Sequence, residues 1–199
     1  SCDENSHSNI GAICGQVIGG NSTISSCTNN IEIEGKNNIG GLIGICKGHQ
    51  QAYNNISDCT NKAVITARAS SQLVIVGGIV GQLEQGGLIN TTVSHCTNAG
   101  KINATSENPN SVAGGIVGKT GSFLTMTDCG NTALISTSTI GYAAGLVGSC
   151  QNYPSTITNC YSQGDISTQS CKNIGGITTV DRSGEATIKN CYFSGEIKG

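Results

Sequence analysis

A glycine-flanked apolar hexapeptide recurs six times and limits the possible folds more than any other feature of this chain. "IGGLIG" stands at 39–44, "VGGIVG" at 76–81, "AGGIVG" at 113–118 and "AAGLVG" at 143–148, with looser copies "IGAICG" at 10–15 and "IGGITT" at 174–179. Their last positions are Gly15, Gly44, Gly81, Gly118, Gly148 and Thr179, at intervals of 29, 37, 37, 30 and 31 residues. A repeat of that length is a unit that buries its apolar face only against its neighbours.

Two further landmarks follow each hexapeptide. The first is a cysteine: Cys27, Cys59, Cys96, Cys129, Cys160 and Cys191. The second, six residues later, is an isoleucine: Ile33, Ile65, Ile102, Ile135, Ile166 and Ile197. Each unit thus carries three short β-branched segments separated by Gly, Asn, Ser and Thr. Such segments are too short for helices, which need ~10 or more periodic residues, and their composition suits strands. The expected fold is all-β: a right-handed parallel β-helix of about six coils with three short strands per coil. The whole of 1–199 is expected to form one solenoid domain, with units at about 9–36, 37–73, 74–111, 112–140, 141–172 and 173–199. Insertions such as "GHQQAYNN", "EQGGLIN" and "TSENPNS" then bulge from a corner without disturbing the stack.

In a solenoid, equivalent residues of successive coils lie about 4.8 Å apart, so every repeated position becomes a column. The glycine pair is expected where the coil bends or where the interior is too crowded for a Cβ. The cysteine and isoleucine columns are expected to be buried, with the thiols acting as small hydrophobes. Bridges between stacked cysteines remain an alternative, since a coil step lies within disulfide reach. Outside the column stand Cys2, Cys14, Cys46, Cys150 and Cys171; Cys46 and Cys150 share a place three coils apart, and Cys14–Cys46 or Cys150–Cys171 are candidate pairs. No C-x₂-C pair suggests zinc. Two residues after the cysteine, Asn29, Asn61, Asn98 and Asn131 form a candidate asparagine ladder, because a stacked amide both donates and accepts.

One column has the residue types of a reactive site. The residue before each cysteine reads Ser26, Asp58, His95, Asp128, Asn159 and Asn190. Stacked, Asp58 and Asp128 flank His95, an arrangement that orients a base or holds a metal; a solvated polar corner is the bland reading. No nucleophile or Lys/Arg cluster is specified beside it, so no catalytic residue, metal ligand or cofactor is expected. Four sequons, at Asn21, Asn55, Asn90 and Asn103, are glycosylation acceptors if the protein passes through a eukaryotic secretory route. A net charge of −2, with 11% charged residues, gives no reason to expect nucleic acid as a partner. No run approaches the ~18 apolar residues of a membrane span. Ice binding needs a flat, regular threonine array, and the threonines of "STST", "ITTV" and "NTTV" do not fall in one column, so ice binding is not expected.

The hexapeptides, each followed by a C-x-N segment and a small-x-Ile strand, resemble the GLUG repeat over roughly residues 9–199. That repeat occurs in large bacterial surface proteins, including adhesin-like proteins and the non-catalytic region of some immunoglobulin A peptidases. The resemblance implies a right-handed β-solenoid displayed outside the cell and carries over no catalytic residue. The expected role is an extracellular or cell-surface structural and adhesive module without enzyme activity, able to self-associate end to end into a fibre. Expected partners are a second copy or further repeats of a longer chain, and a glycan or host surface protein. The alternative is a carbohydrate-binding module or the remnant of a β-helix polysaccharide-active enzyme.

Overall fold

The structure is a computed structural model, and it describes residues 8–48, 52–84, 89–181 and 183–199. Cys2 lies outside them. The described chain is all-β and winds into six stacked coils. Every strand pairs in parallel with its counterparts one coil away. Where three strands per coil were expected, five hydrogen-bonded sheets of six strands run along the stack. In one coil they are Ile75–Gly77, Val80–Glu84, Ile89–Ser94, Thr97–Asn98 and Ile102–Thr105, here the first to fifth sheets. The physical reason for the extra sheets is two sharp corners. The hexapeptide breaks at Gly-Gly into the first and second sheets. The segment around the cysteine breaks just before that residue into the third and fourth.

The corner before the cysteine has a fixed backbone signature. Ser26, Asp58, His95, Asp128, Asn159 and Asn190 all lie in the left-handed region, with φ between 51 and 55°. Asn, Asp and His are the non-glycine types most enriched there. The column that resembles a reactive site on paper is thus the set of residues that turns each coil.

The interior holds two apolar clusters. One joins the inward residues of the second and third sheets to the buried cysteines, among them Ile79, Val80, Val93 and Cys96. The other joins the isoleucine column to the first hexapeptide residue, as in Ile102 and Val76. The isoleucines stack in register through the fifth sheet. Ile33 to Ile166 are buried, and Ile197 in the last coil is 47% exposed.

Between the clusters, the second hexapeptide glycine faces the asparagine across the interior. A Cβ on Gly78 would stand 2.0 Å from the Gly115 carbonyl oxygen and 2.5 Å from Asn98 Cγ; on Gly115 the same atoms of Gly145 and Asn131 lie at 2.0 and 2.6 Å. Neither glycine has a positive φ. Space, not backbone conformation, forbids a side chain, and this couples the hexapeptide to the C-x-N landmark.

Candidate functional site

The asparagine column is a continuous buried hydrogen-bonded chain. Asn29 Nδ2 donates to Asn61 Oδ1, Asn61 Nδ2 to Asn98 Oδ1 and Asn98 Nδ2 to Asn131 Oδ1, each at 2.8 Å. The second amide proton of each inner rung goes to the carbonyl two residues on, such as Asn98 to Gly100 at 3.0 Å. Each rung therefore spans both the axis and its own turn, which accounts for a polar amide at a buried position. The chain ends at Ser162, whose buried Oγ has no partner, and then Phe193.

The cysteine column solves a local backbone problem. The left-handed corner interrupts the ladder, and the cysteine amide after it loses its carbonyl partner. Instead Cys96 N–H donates to Cys129 Sγ, Cys129 N–H to Cys160 Sγ and Cys160 N–H to Cys191 Sγ, each at 3.4 Å. Each thiol in turn points at the carbonyl two residues before it, as Cys129 does to Thr127 at 3.2 Å. Cys59, Cys96, Cys129 and Cys160 are buried; Cys27 and Cys191 are half-buried. Hydrogen bonding to Cys160 and Cys96, with burial, raises the Cys129 thiol above its ordinary range.

All ten described cysteines are free. The two candidate bridges outside the column fail on register. Cys14 sits opposite Ile43 while Cys46 sits opposite Val17. Cys150 lies in the second sheet and Cys171 in the first. The shared place of Cys46 and Cys150 holds, three coils apart through Leu83 and Thr120. Burial, then the neighbouring Cys14, pushes the Cys46 thiol from an ordinary 9.0 up to about 11.

On the outer surface, His95 Nε2 lies 3.7 Å from Asp128 Oδ2, with both side chains largely exposed. Asp58 makes no ion pair with His95 among the described residues. No cluster of three or more His, Cys, Asp or Glu able to hold a metal occurs among the described residues. Of the sequon asparagines, Asn21, Asn55 and Asn90 are exposed and Asn103 is half-buried in the fifth sheet. The side chain of Asn21 accepts a bond from Tyr53 N–H at 3.3 Å.

Two other surface features have polar chemistry. A groove of about 590 Å³ opens where the coils turn from the fifth sheet to the first, lined by Lys36, Arg68, Ser70, Thr105, Glu107 and Ser138 among others. Neither Lys36 nor Arg68 has a carboxylate partner among the described residues. Near the other corner, Tyr161 and Tyr192 stack with ring centroids 5.7 Å apart, and Tyr161 folds over Gly130, where a Cβ would meet its ring.

As expected, the threonines of the three tetrads share no column: Thr137 lies in the fifth sheet, Thr178 in the second and Thr92 in the third. Other threonines do line up with Thr92. In the third sheet, register aligns Thr23, Asn55, Thr92, Thr125, Thr156 and Thr187. Two residues on, it aligns Ser25, Ser57, Ser94, Thr127, Thr158 and Lys189. Both rows point outward, because the residue between them is inward: Ile24, Ile56, Val93, Met126, Ile157 and Ile188. The signal was present in the sequence. The rows lie four and two residues before each cysteine, a count that reading the threonine tetrads alone does not make.

No family model, no curated protein and no solved structure matches the chain.

Proposed function

We propose that the chain is an extracellular, non-catalytic structural and adhesive solenoid module, wound right-handed as parallel connections are. The observation that carries this reading is the corner column. Its acids and histidine occupy the one left-handed position that recurs in all six coils, so backbone geometry accounts for their residue types without chemistry. Asparagine, cysteine and glycine columns have structural work of the same kind, and the resemblance to the GLUG repeat supports display at a cell surface. The test is a screen of the folded protein against polysaccharide and peptide substrates, beside a His95→Ala variant. No turnover by either is expected; turnover lost with His95→Ala would overturn the reading.

Self-association is part of this proposal. Apolar side chains are uncovered at both ends of the described stack: Ile13 and Ile31 in the first coil, and Val180, Ile188 and Ile197 in the last. A further layer of strands, from a second copy or from more repeats, buries them and pairs the open backbone. Light scattering over a concentration series should show end-to-end growth, with filaments by electron microscopy. A monomer at high concentration would remove the fibre from the proposal.

Carbohydrate binding is the second reading, favoured by the Lys36–Arg68 groove, whose volume suits a small ligand. Binding of acidic glycans on an array, lost on Arg68→Gln, is the outcome that supports it.

A further inference from the structure

The outward face of the third sheet differs in composition from those of the second and fifth. Over the first five coils two of its three outward rows consist of threonine and serine with one asparagine, and contain no charge; the third row holds Tyr53, Asn90, Phe123 and Pro154. The second sheet carries Lys47, Glu84 and Lys119 outward, and the fifth carries Glu34, Arg68 and Lys198. The register of the third sheet is unbroken across all six coils. Strand geometry sets the array: about 4.8 Å between coils and about 6.7 Å between alternate residues of a strand. Among the described residues, no side-chain hydroxyl in these rows bonds to another protein group, whereas Thr60 and Thr97 one sheet away bond to each other at 3.2 Å.

We infer that this face binds ice. The rows offer a two-dimensional lattice of hydroxyls and methyls, close in repeat to the oxygen lattice on a prism face of ice. Thr92, Thr125 and Thr156 with Ser94, Thr127 and Thr158 form its centre. Threonine suits the task because its β-branch restricts χ1 and fixes hydroxyl and methyl in space. The strand ladders beneath hold the backbone rigid, so little ordering cost is left for binding. The hydroxyls are free to bond surface water, and the methyls between them order it without competing for its hydrogen bonds. Each contact is weak, and a periodic array makes them together. A face meant for a soluble acidic ligand would carry cations; a face meant for a sugar chain would carry aromatic platforms. Over the first five coils these two rows carry neither; Lys189 enters only in the sixth, and Tyr53 and Phe123 stand in the neighbouring row.

The inference goes beyond the proposed structural role and fails separately from it. The experiment grows ice slowly from a dilute solution of fluorescently labelled protein and measures uptake into the ice, with the freezing-point gap of seeded crystals as a second readout. Native protein is expected to enter the ice and shape the crystals. Thr125→Lys, and independently Thr158→Lys, should abolish uptake while circular dichroism stays native. Ser136→Lys, an equivalent outward position on the fifth sheet, should leave uptake unchanged. Exclusion of folded native protein from ice overturns the inference and leaves the scaffold role intact. Uptake equal in native and Thr125→Lys proteins, or lost equally with Ser136→Lys, overturns it as well. So does adsorption to crystalline cellulose or chitin in place of ice.

Discussion

At the scale of the residue, cysteine has a specific task at each corner. It fills a narrow apolar site and also presents a sulfur to the amide of the preceding coil's cysteine. Valine fills the same space without an acceptor. Cys129→Val is therefore expected to cost about 1–3 kcal/mol, the penalty for leaving the buried Cys96 N–H without a partner. Cys129→Ser keeps an acceptor and should cost less. Chemical denaturation of the two variants checks the order; equal stability would show that the sulfur acts by volume alone. The vacant rung at Ser162 works in the opposite direction. Ser162→Asn supplies an acceptor for Asn131 Nδ2 and removes an unsatisfied buried hydroxyl. A gain of about 1 kcal/mol is expected in thermal unfolding.

At the scale of the element, the ladder and the glycine column act as one unit. Removal of a middle rung strands the partners on both sides and the turn it closes. Asn98→Ala should cost about 2–4 kcal/mol, from more than one unsatisfied buried group. Asn29→Ala, in the first coil, has a partner on one side only and should cost less. Gly115→Ala pushes a methyl into the Gly145 carbonyl and Asn131, both held by neighbouring coils, and should cost about 1–3 kcal/mol or more. The second-glycine position accepts alanine once, at Ala12, in the exposed first coil. Comparing unfolding midpoints of Gly115→Ala with those of a surface alanine variant tests this.

At the scale of the whole molecule, the buried thiols of the second sheet, Cys46 and Cys150, tie stability to alkaline pH. Burial raises Cys46 to about 11 and also raises Cys150. A raised thiol is protonated in the folded state where the unfolded chain has already ionised. Its contribution is full below the unfolded value of 9.0 and is lost as pH climbs through about 11. The shift of Cys46 alone corresponds to a loss on the order of 2 kcal/mol. Denaturation midpoints should fall across that window, and by less in Cys46→Val. A flat profile from pH 9 to 11 would show that the site admits water. The solenoid sums such effects, since each coil contacts only its neighbours.

The sequence by itself determined the coil count, the parallel stacking and the identity of the interior columns. Each is a periodic property, and in-register stacking converts period directly into contact. That is why the offset from Cys96 to Ile102 recurs as two buried stacks. Only the tertiary structure decided what the columns do at the corners and on the outside. The left-handed φ of His95 depends on how the chain turns between two sheets, and no residue count carries a dihedral angle. The opposition of Gly115 to Asn131 crosses the coil and depends on its closed cross-section. The hydroxyl rows were countable from the cysteines, yet their common face is a property of the third sheet, where strand pairing aims Thr92, Thr125 and Thr156 outward together.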